Sequence, residues 1–191
     1  MSYAGELTRL EIGDRYTILE FCTFNLGTIK EEGVSRVGSD NWFMAYVHIA
    51  HDVLVANHTV LANNATLAGH VHVGDWAVIG GISGVHQFVR IGKLSIIGGC
   101  SKVVQDIPPY STCDGHPAKI YGINSIGLKR SKVPADAINQ LRTSFKILFH
   151  SGLVLKNGIT KVEKEIELVE EVKYLLNFLQ NSERGICRGD K

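Results

Sequence analysis

Apolar residues recur along this chain at a period of six. Steps of six from Val37 land on Phe43, Ile49, Val55, Leu61, Leu67, Val73, Ile79, Val85, Ile91, Ile97 and Val103, and all are apolar. Two positions before each lies a small residue over much of the run: Ala65, Val71, Ala77, Ser83, Val89, Ser95 and Ser101. The position just after is also mostly small (Gly38, Ala50, Ala56, Ala62, Ala68, Gly74, Gly80, Gly92, Gly98), as a sharp corner would need. An amphipathic helix repeats at about 3.6 residues and a simple strand at about 2, so neither fits. A short strand plus a turn does, and three such units close a triangular coil of 18 residues whose stacked strands lie about 4.8 Å apart. The pattern predicts a mainly β protein, a parallel β-helix with its apolar residues along the axis.

Ile12, Ile18 and Phe24 extend the same step upstream, but Phe24 and Val37 are out of phase, so residues 25–36, "NLGTIKEEGVSR", are expected to leave the coil. The repeat fails at Pro108-Pro109, where lost N–H donors suit the end of a ladder. Beyond it the spacing turns helical. Pro134 suits a first helical turn, Ile138, Leu141, Phe145, Leu148 and Phe149 form a stripe, and Ser151-Gly152 suits a helix end. "TKVEKEIELVEEVKYLLNFLQNSERG" reads as one or two helices that bury Ile166, Val169, Val172, Leu175, Leu176 and Leu179. The expected organisation is a β-helix over residues 1–109, then a linker and a C-terminal α-helical region over residues 110–191.

Composition removes several classes of function. The chain of 191 residues carries 20 basic and 19 acidic side chains, which gives no global pull toward nucleic acid. Its four cysteines are scattered without a C-x-x-C pair, as in a reduced cytoplasmic protein. No apolar leader opens the sequence and no apolar run of roughly 18 residues could form a transmembrane segment. There is no phosphate-binding G-x-x-x-x-G-K-[ST] loop and no dinucleotide fingerprint. No cofactor is expected.

Five of the eight histidines, at positions 48, 51, 58, 70 and 72, fall between Val47 and Trp76. The 18-residue coil sorts them. His51 shares a column with Gly69 and Gln87, Asp52 with His70 and Phe88, and His48 with Thr66 and Gly84. His51, Asp52, Gly69, His70, His86 and Gln87 then share one edge, whereas His58 and His72 read as solvent-facing surface. A histidine beside a carboxylate, with a glycine N–H one rung away, has the parts for proton abstraction and oxyanion stabilisation. A metal site would need three convergent ligands and an open position, and spacing alone leaves that alternative open.

The stretch "HIAHDVLVANHTVLANNATLAGHVHVGDWAVIGGISGVHQF", followed by "GGCSKVVQDIPPY", "GHPAKIYGIN" and "GLKR", closely resembles the UDP-N-acetylglucosamine O-acyltransferases of lipid A biosynthesis. The likeness runs from Tyr3 to Gly185. It implies a left-handed coil, a homotrimer, and transfer of an (R)-3-hydroxyacyl group from acyl carrier protein to the sugar 3-hydroxyl of UDP-N-acetylglucosamine, the first step of that pathway. On the resemblance His51 is the general base, Asp52 orients it, and the Gly69 N–H holds the oxyanion. His48, His70, His86 and Gln87 hold sugar nucleotide and acyl chain in a cleft between subunits. Asn124 and Arg130 match nucleotide-binding positions, and Gly99 sits where acyl length is set, which implies a long chain.

Lys129, Arg130, Lys132, Arg142 and Lys146 against Asp136 make a local basic stretch, either a dock for acidic acyl carrier protein or an ordinary solvated face. The chain also departs from the family pattern. It opens at Met1-Ser2-Tyr3, where relatives have further coils, Ser2 stands where they have a lysine, and Asn25-Leu26 replaces a histidine-arginine pair. Two other readings are a non-catalytic trimeric remnant that binds carrier protein or sugar nucleotide, and a metal-dependent lyase resembling γ-class carbonic anhydrase.

Overall fold

A computed structural model describes residues 5–189; Ser2 and Tyr3 lie outside that range. Short strands follow one another in chain order: β1 (Arg9–Ile12), β2 (Thr17–Ile18), β3 (Thr23–Phe24), β4 (Val34–Val37), β5 (Trp42–Phe43), β6 (His48–Ile49), β7 (Leu54–Val55), β8 (Val60–Leu61), β9 (Thr66–Leu67), β10 (His72–Val73), β11 (Val78–Ile79), β12 (Gly84–Val85), β13 (Arg90–Ile91), β14 (Ile96–Ile97) and β15 (Lys102–Val103). Every third strand pairs in parallel, which builds three faces: β1-β4-β7-β10-β13, β2-β5-β8-β11-β14 and β3-β6-β9-β12-β15. The register is 18 residues, as in His48 with Thr66 and Thr66 with Gly84. All twelve period-six residues from Val37 to Val103 are buried, and Val47, Val53, Ala65, Val71, Ala77 and Val89, two positions before, join them in the axis. Two inward side chains per hexad, one larger and one smaller, fill the triangle.

The corner lies two residues further on than the small residues suggested. Left-handed φ falls at Asp40, Tyr46, Asp52, His58, Asn64, His70, Trp76, Ile82, Phe88, Leu94 and Cys100, again every six residues, and none is glycine. Such a conformation is costly, most of all for a branched residue such as Ile82. The ladder holds it: His70 N donates to His51 O at 3.1 Å, Ile82 N to Asn63 O at 2.8 Å and Phe88 N to Gly69 O at 3.1 Å. The small residues meet a different demand, the close approach of the next coil. A Cβ on Gly74 would lie 2.7 Å from Lys93 N.

Between β3 and β4 the chain leaves the coil, so Thr23 pairs with His48 at a separation of 25 rather than 18. At the other end the ladder runs on past Pro108-Pro109. Ile107 bridges to Ile91, and β16 (Ser111–Gly115) adds to β14 through Ile96 with Thr112 and Ile97 with Cys113. It then turns back antiparallel into β17 (Ala118–Ile123), a hairpin without a hydrophobic period to announce it. Among the described residues four helices follow: α1 (Ser125–Arg130), α2 (Ala135–His150), α3 (Leu155–Glu165) and α4 (Glu170–Gln180). The α2 stripe Ile138, Leu141, Phe145, Leu148 and Phe149 is buried, and helix ends at Ser151 as expected. The last apolar run is split between α3 and α4, because Ile166 is extended; Val172, Leu175, Leu176 and Leu179 are buried, and Ile166 and Val169 only partly so. Among the described residues no helix is long and apolar enough to cross a membrane.

Because each inward side chain packs against the coils above and below, a truncation leaves a cavity that rigid backbone cannot close. Leu61→Ala, at a wholly buried position, is expected to lower unfolding free energy by about 2–5 kcal/mol in urea denaturation; a loss below about 1 kcal/mol would show that the coil collapses to fill the space.

Candidate active site

The column rule brings His51, Asp52, Gly69 and His70 together. Asp52 occupies the left-handed corner and its side chain is only 2% exposed, against 36% for His51. The excursion supplies its partners. Asp52 Oδ1 accepts from Thr28 N and Oδ2 from Thr28 Oγ1, both at 2.7 Å, and the Asp52 N–H donates to the buried Ser35 Oγ at 2.8 Å. Burial alone would push this carboxyl up, but the Thr28 donors, joined by His51, outweigh it and hold Asp52 below the usual carboxylate range. An ionised Asp52 only accepts, so the contact from His51 Nδ1 to Oδ2, 2.9 Å, places the His51 proton on Nδ1 and leaves the lone pair on Nε2. That is the tautomer a general base needs.

The His51 ring lies across Gly69. A Cβ there would stand 2.5 Å from His51 Cε1 and 2.8 Å from Nε2, so any side chain would evict the imidazole. The neighbouring ladder bonds, Ala68 N to Val85 O and His70 N to His51 O, leave the Gly69 N–H without an acceptor among the described residues. His70 meets His51 edge-on, with centroids 5.1 Å apart, and stacks on Phe88 at 4.4 Å. Its Nε2 is 3.9 Å from Asp52 Oδ2 and its Nδ1 is 3.5 Å from Glu31 Oε1. His48 lies on the same side, with Nδ1 2.7 Å from Thr23 Oγ1. His86 and Gln87 follow one coil further along, both exposed.

The remaining predicted residues lie elsewhere in the chain. Gly99 stacks on Gly81 at a second edge, where a Cβ would come within 3.3 Å of Gly81 O. Asn124 sits at the third edge. Its Oδ1 caps α1 by accepting from Gly127 N, and its Nδ2 donates to Leu94 O, both at 2.9 Å. Arg130 is exposed at the end of that short helix. Of the two histidines read as plain surface, His58 stacks on Trp76 at 4.1 Å, away from the cluster. His72 is exposed, as expected, and at the same time rims a groove of about 550 Å³ with Asp52, His70, Phe88, Arg36 and Arg90. Thr28, Glu31 and Ser35 also belong to the site, and no sequence period marks them because the excursion breaks their phase.

His51, Asp52 and His70 have ligand atoms within 4.8 Å of one another, close enough to surround a cation. Both Asp52 oxygens are, however, already engaged by Thr28 and His51, and a cation would have to displace those donors. The donor set is arranged to orient an imidazole.

A coil of six-residue repeats with an oriented histidine on its edge is the build of a hexapeptide-repeat transferase, and a family model described as bacterial transferase hexapeptide (six repeats) matches residues 35–69. A second model, UDP N-acetylglucosamine O-acyltransferase, domain 2, matches residues 106–187. The chain belongs to the UDP-N-acetylglucosamine O-acyltransferase family. It is 51% identical to the acyl-(acyl-carrier-protein)–UDP-N-acetylglucosamine O-acyltransferase of Thiobacillus denitrificans, over 97% of this chain and 72% of that enzyme, and 48% identical to the Burkholderia mallei enzyme of the same name, over 98% and 73%. Among solved structures it is similar to LpxA from Acinetobacter baumannii, with a TM-score of 0.93 at 42% identity over 97% of this chain and 72% of that one. LpxA from Bacteroides fragilis gives 0.94 at 38% identity, over 97% and 72%. The coil is left-handed, as in these relatives.

Thr28→Val keeps the shape and removes one donor to Asp52. The folded Asp52 carboxyl lies below its unfolded value, so its stabilisation is present above about pH 4 and is lost as pH falls through the folded value. Thr28→Val should therefore cost about 1–3 kcal/mol in urea denaturation at pH 7, and the gap from wild type should narrow below about pH 4. A gap constant from pH 7 to pH 3 would contradict the assignment.

Proposed function

We propose that the chain transfers an (R)-3-hydroxyacyl group from acyl carrier protein to the 3-hydroxyl of UDP-N-acetylglucosamine, the first step of lipid A biosynthesis, in the cytoplasm. The observation that carries this reading is the chain of contacts from Thr28 through Asp52 to His51, which leaves Nε2 as the free basic atom above Gly69. His51 Nε2 takes the proton of the sugar hydroxyl as its oxygen attacks the thioester carbonyl. Asp52 holds the ring and offsets the charge that forms on it. The Gly69 N–H donates to the oxyanion of the tetrahedral intermediate, and collapse expels the carrier thiol, which regains the proton from His51. His48, His70, His86 and Gln87 line the approach to this edge and hold the substrates. The similar proteins are named acyltransferases, and neither a non-catalytic remnant nor a metal-dependent lyase is favoured.

The working assembly is a homotrimer. Its support is the placement of the predicted binding residues: Gly99, Asn124 and Arg130 lie on edges other than that of His51, and Asn124 is held at the Leu94 corner. They join one site only if the edge of another copy meets the His51 edge. Gly99 is exposed and carries no side chain to close the acyl path, which supports a long 3-hydroxyacyl group. At the nucleotide end, Leu26, 51% exposed, stands where the family pattern has a charged donor, so affinity for the sugar nucleotide is expected to be modest. Lys129, Arg130, Lys132, Arg142 and Lys146 are all exposed, on α1, α2 and the turn between them, and form the proposed dock for the acidic carrier.

His51→Ala should lower kcat for acyl transfer by about a hundred- to ten-thousand-fold while sedimentation still reports the trimer; undiminished turnover would remove His51 as the base. Reversing Arg142 and Lys146 to Glu should raise KM for the acyl carrier about tenfold at low ionic strength and much less in 0.5 M salt, roughly as screening requires. A salt-independent change would identify the stretch as an ordinary solvated face.

A further inference from the structure

After α4 the chain turns back along the coil edge that carries Gly69 and Gln87. Asp106, fully buried, fastens it there. Its Oδ2 accepts from Ser182 Oγ at 2.8 Å, its N–H donates to Gly185 O at 2.8 Å and its carbonyl accepts from Cys187 N at 2.9 Å. Oδ1 accepts from Arg90 N at 2.8 Å, so one carboxylate ties the returning segment to the coil. Arg184 is delivered by this clasp. Its Nη2 lies 3.2 Å from His86 Nδ1 and 3.3 Å from Val104 O.

A guanidinium carries donors only and keeps its charge at any working pH. The atom of His86 that faces it must therefore present a lone pair. Nδ1 is also 3.3 Å from Gln87 O, but a proton placed there to reach that oxygen would point N–H against N–H at the guanidinium. The two contacts cannot both be hydrogen bonds, and the charged donor wins. His86 then offers its Nδ1 lone pair to the guanidinium and carries its proton on Nε2.

We infer that Arg184 is a positioning residue for the transferase site: the C-terminal clasp holds its guanidinium on His86 Nδ1 and so fixes His86 as an Nε2–H donor toward the sugar nucleotide, whose phosphate and hydroxyl oxygens accept. The inference rests on the acyltransferase reading and extends it to a residue 98 positions from the histidine it orients. It also gives His51 and His86 opposite tautomers. A carboxylate on Nδ1 makes His51 a base, and a cation on Nδ1 makes His86 a donor.

The test uses the full-length assembly labelled with 15N-histidine. Long-range 15N–1H spectra should show His86 protonated at Nε2 in the wild type and in Arg184→Lys, and a mixture of tautomers in Arg184→Ala. In steady-state assays Arg184→Ala should raise KM for UDP-N-acetylglucosamine about tenfold with kcat within about twofold, the size of one charge-assisted hydrogen bond. In a His86→Gln background, where the amide supplies the outward donor without a tautomer to set, Arg184→Ala should change KM less than about twofold. An unchanged His86 tautomer in Arg184→Ala, or an equal penalty in both backgrounds, overturns the proposal. A chain that binds both substrates yet never turns over overturns the acyltransferase reading, and with it the part played by Arg184 in the reaction. The spectra still decide whether the contact sets the tautomer.

Discussion

The register of the parallel ladder is the constraint from which the rest follows. Once each coil takes 18 residues, side chains far apart in sequence are held one rung from each other by backbone hydrogen bonds, as His51 is held over Gly69 by the bond from His70 N to His51 O. The same kind of bond keeps non-glycine residues such as His70 and Phe88 in left-handed corners that they would leave in a free chain, and Ser35 Oγ takes the place of the backbone acceptor at Asp52. Their side chains thus leave the coil at a fixed angle, with no loop to wander. Packing along the axis supplies the free energy that makes this rigidity possible, since every period-six residue from Val37 to Val103 is buried.

Electrostatics then divides the edge into separate tasks. Asp52 is nearly enclosed, a costly place for a charge, and the excursion before β4 offsets that cost with two donors from a single residue, Thr28. The irregular segment is therefore as much a part of the site as the regular coil. Its extra length lets Thr28 reach the carboxylate and Glu31 reach His70 from outside the ladder. The C-terminal segment contributes in a similar way at His86. A repetitive scaffold thus supplies spacing, and its two departures from repetition supply the charges that assign each imidazole its role.

Much of this was legible in the sequence because the period is long and unbroken. The twelve inward residues and the columns of His48, His51 and His70 follow from counting alone, and the α2 stripe follows from helical spacing. The corner was misplaced because small residues suggest turns, whereas here they mark where the next coil's backbone comes close and the turn itself falls on Asp, His, Trp or Ile. His72 is exposed, as its outward phase implies, and what the period does not show is that it also rims the groove across a face. Thr28 and Arg184 were invisible to the period, since their contacts span 24 and 98 residues through segments outside it. The β16–β17 hairpin has no hydrophobic alternation strong enough to show against the end of the repeat.

The central claim is that the coil register puts a correctly protonated His51 where a sugar hydroxyl must lose its proton. A crystal structure of the assembly with UDP-N-acetylglucosamine bound tests it directly. The sugar 3-hydroxyl should lie within about 2.6–3.2 Å of His51 Nε2, on the side of the ring away from Asp52 and beside the Gly69 N–H. A sugar seated with that hydroxyl beyond reach of His51, or on an edge other than the one shared by Asp52, Gly69 and His70, would contradict it.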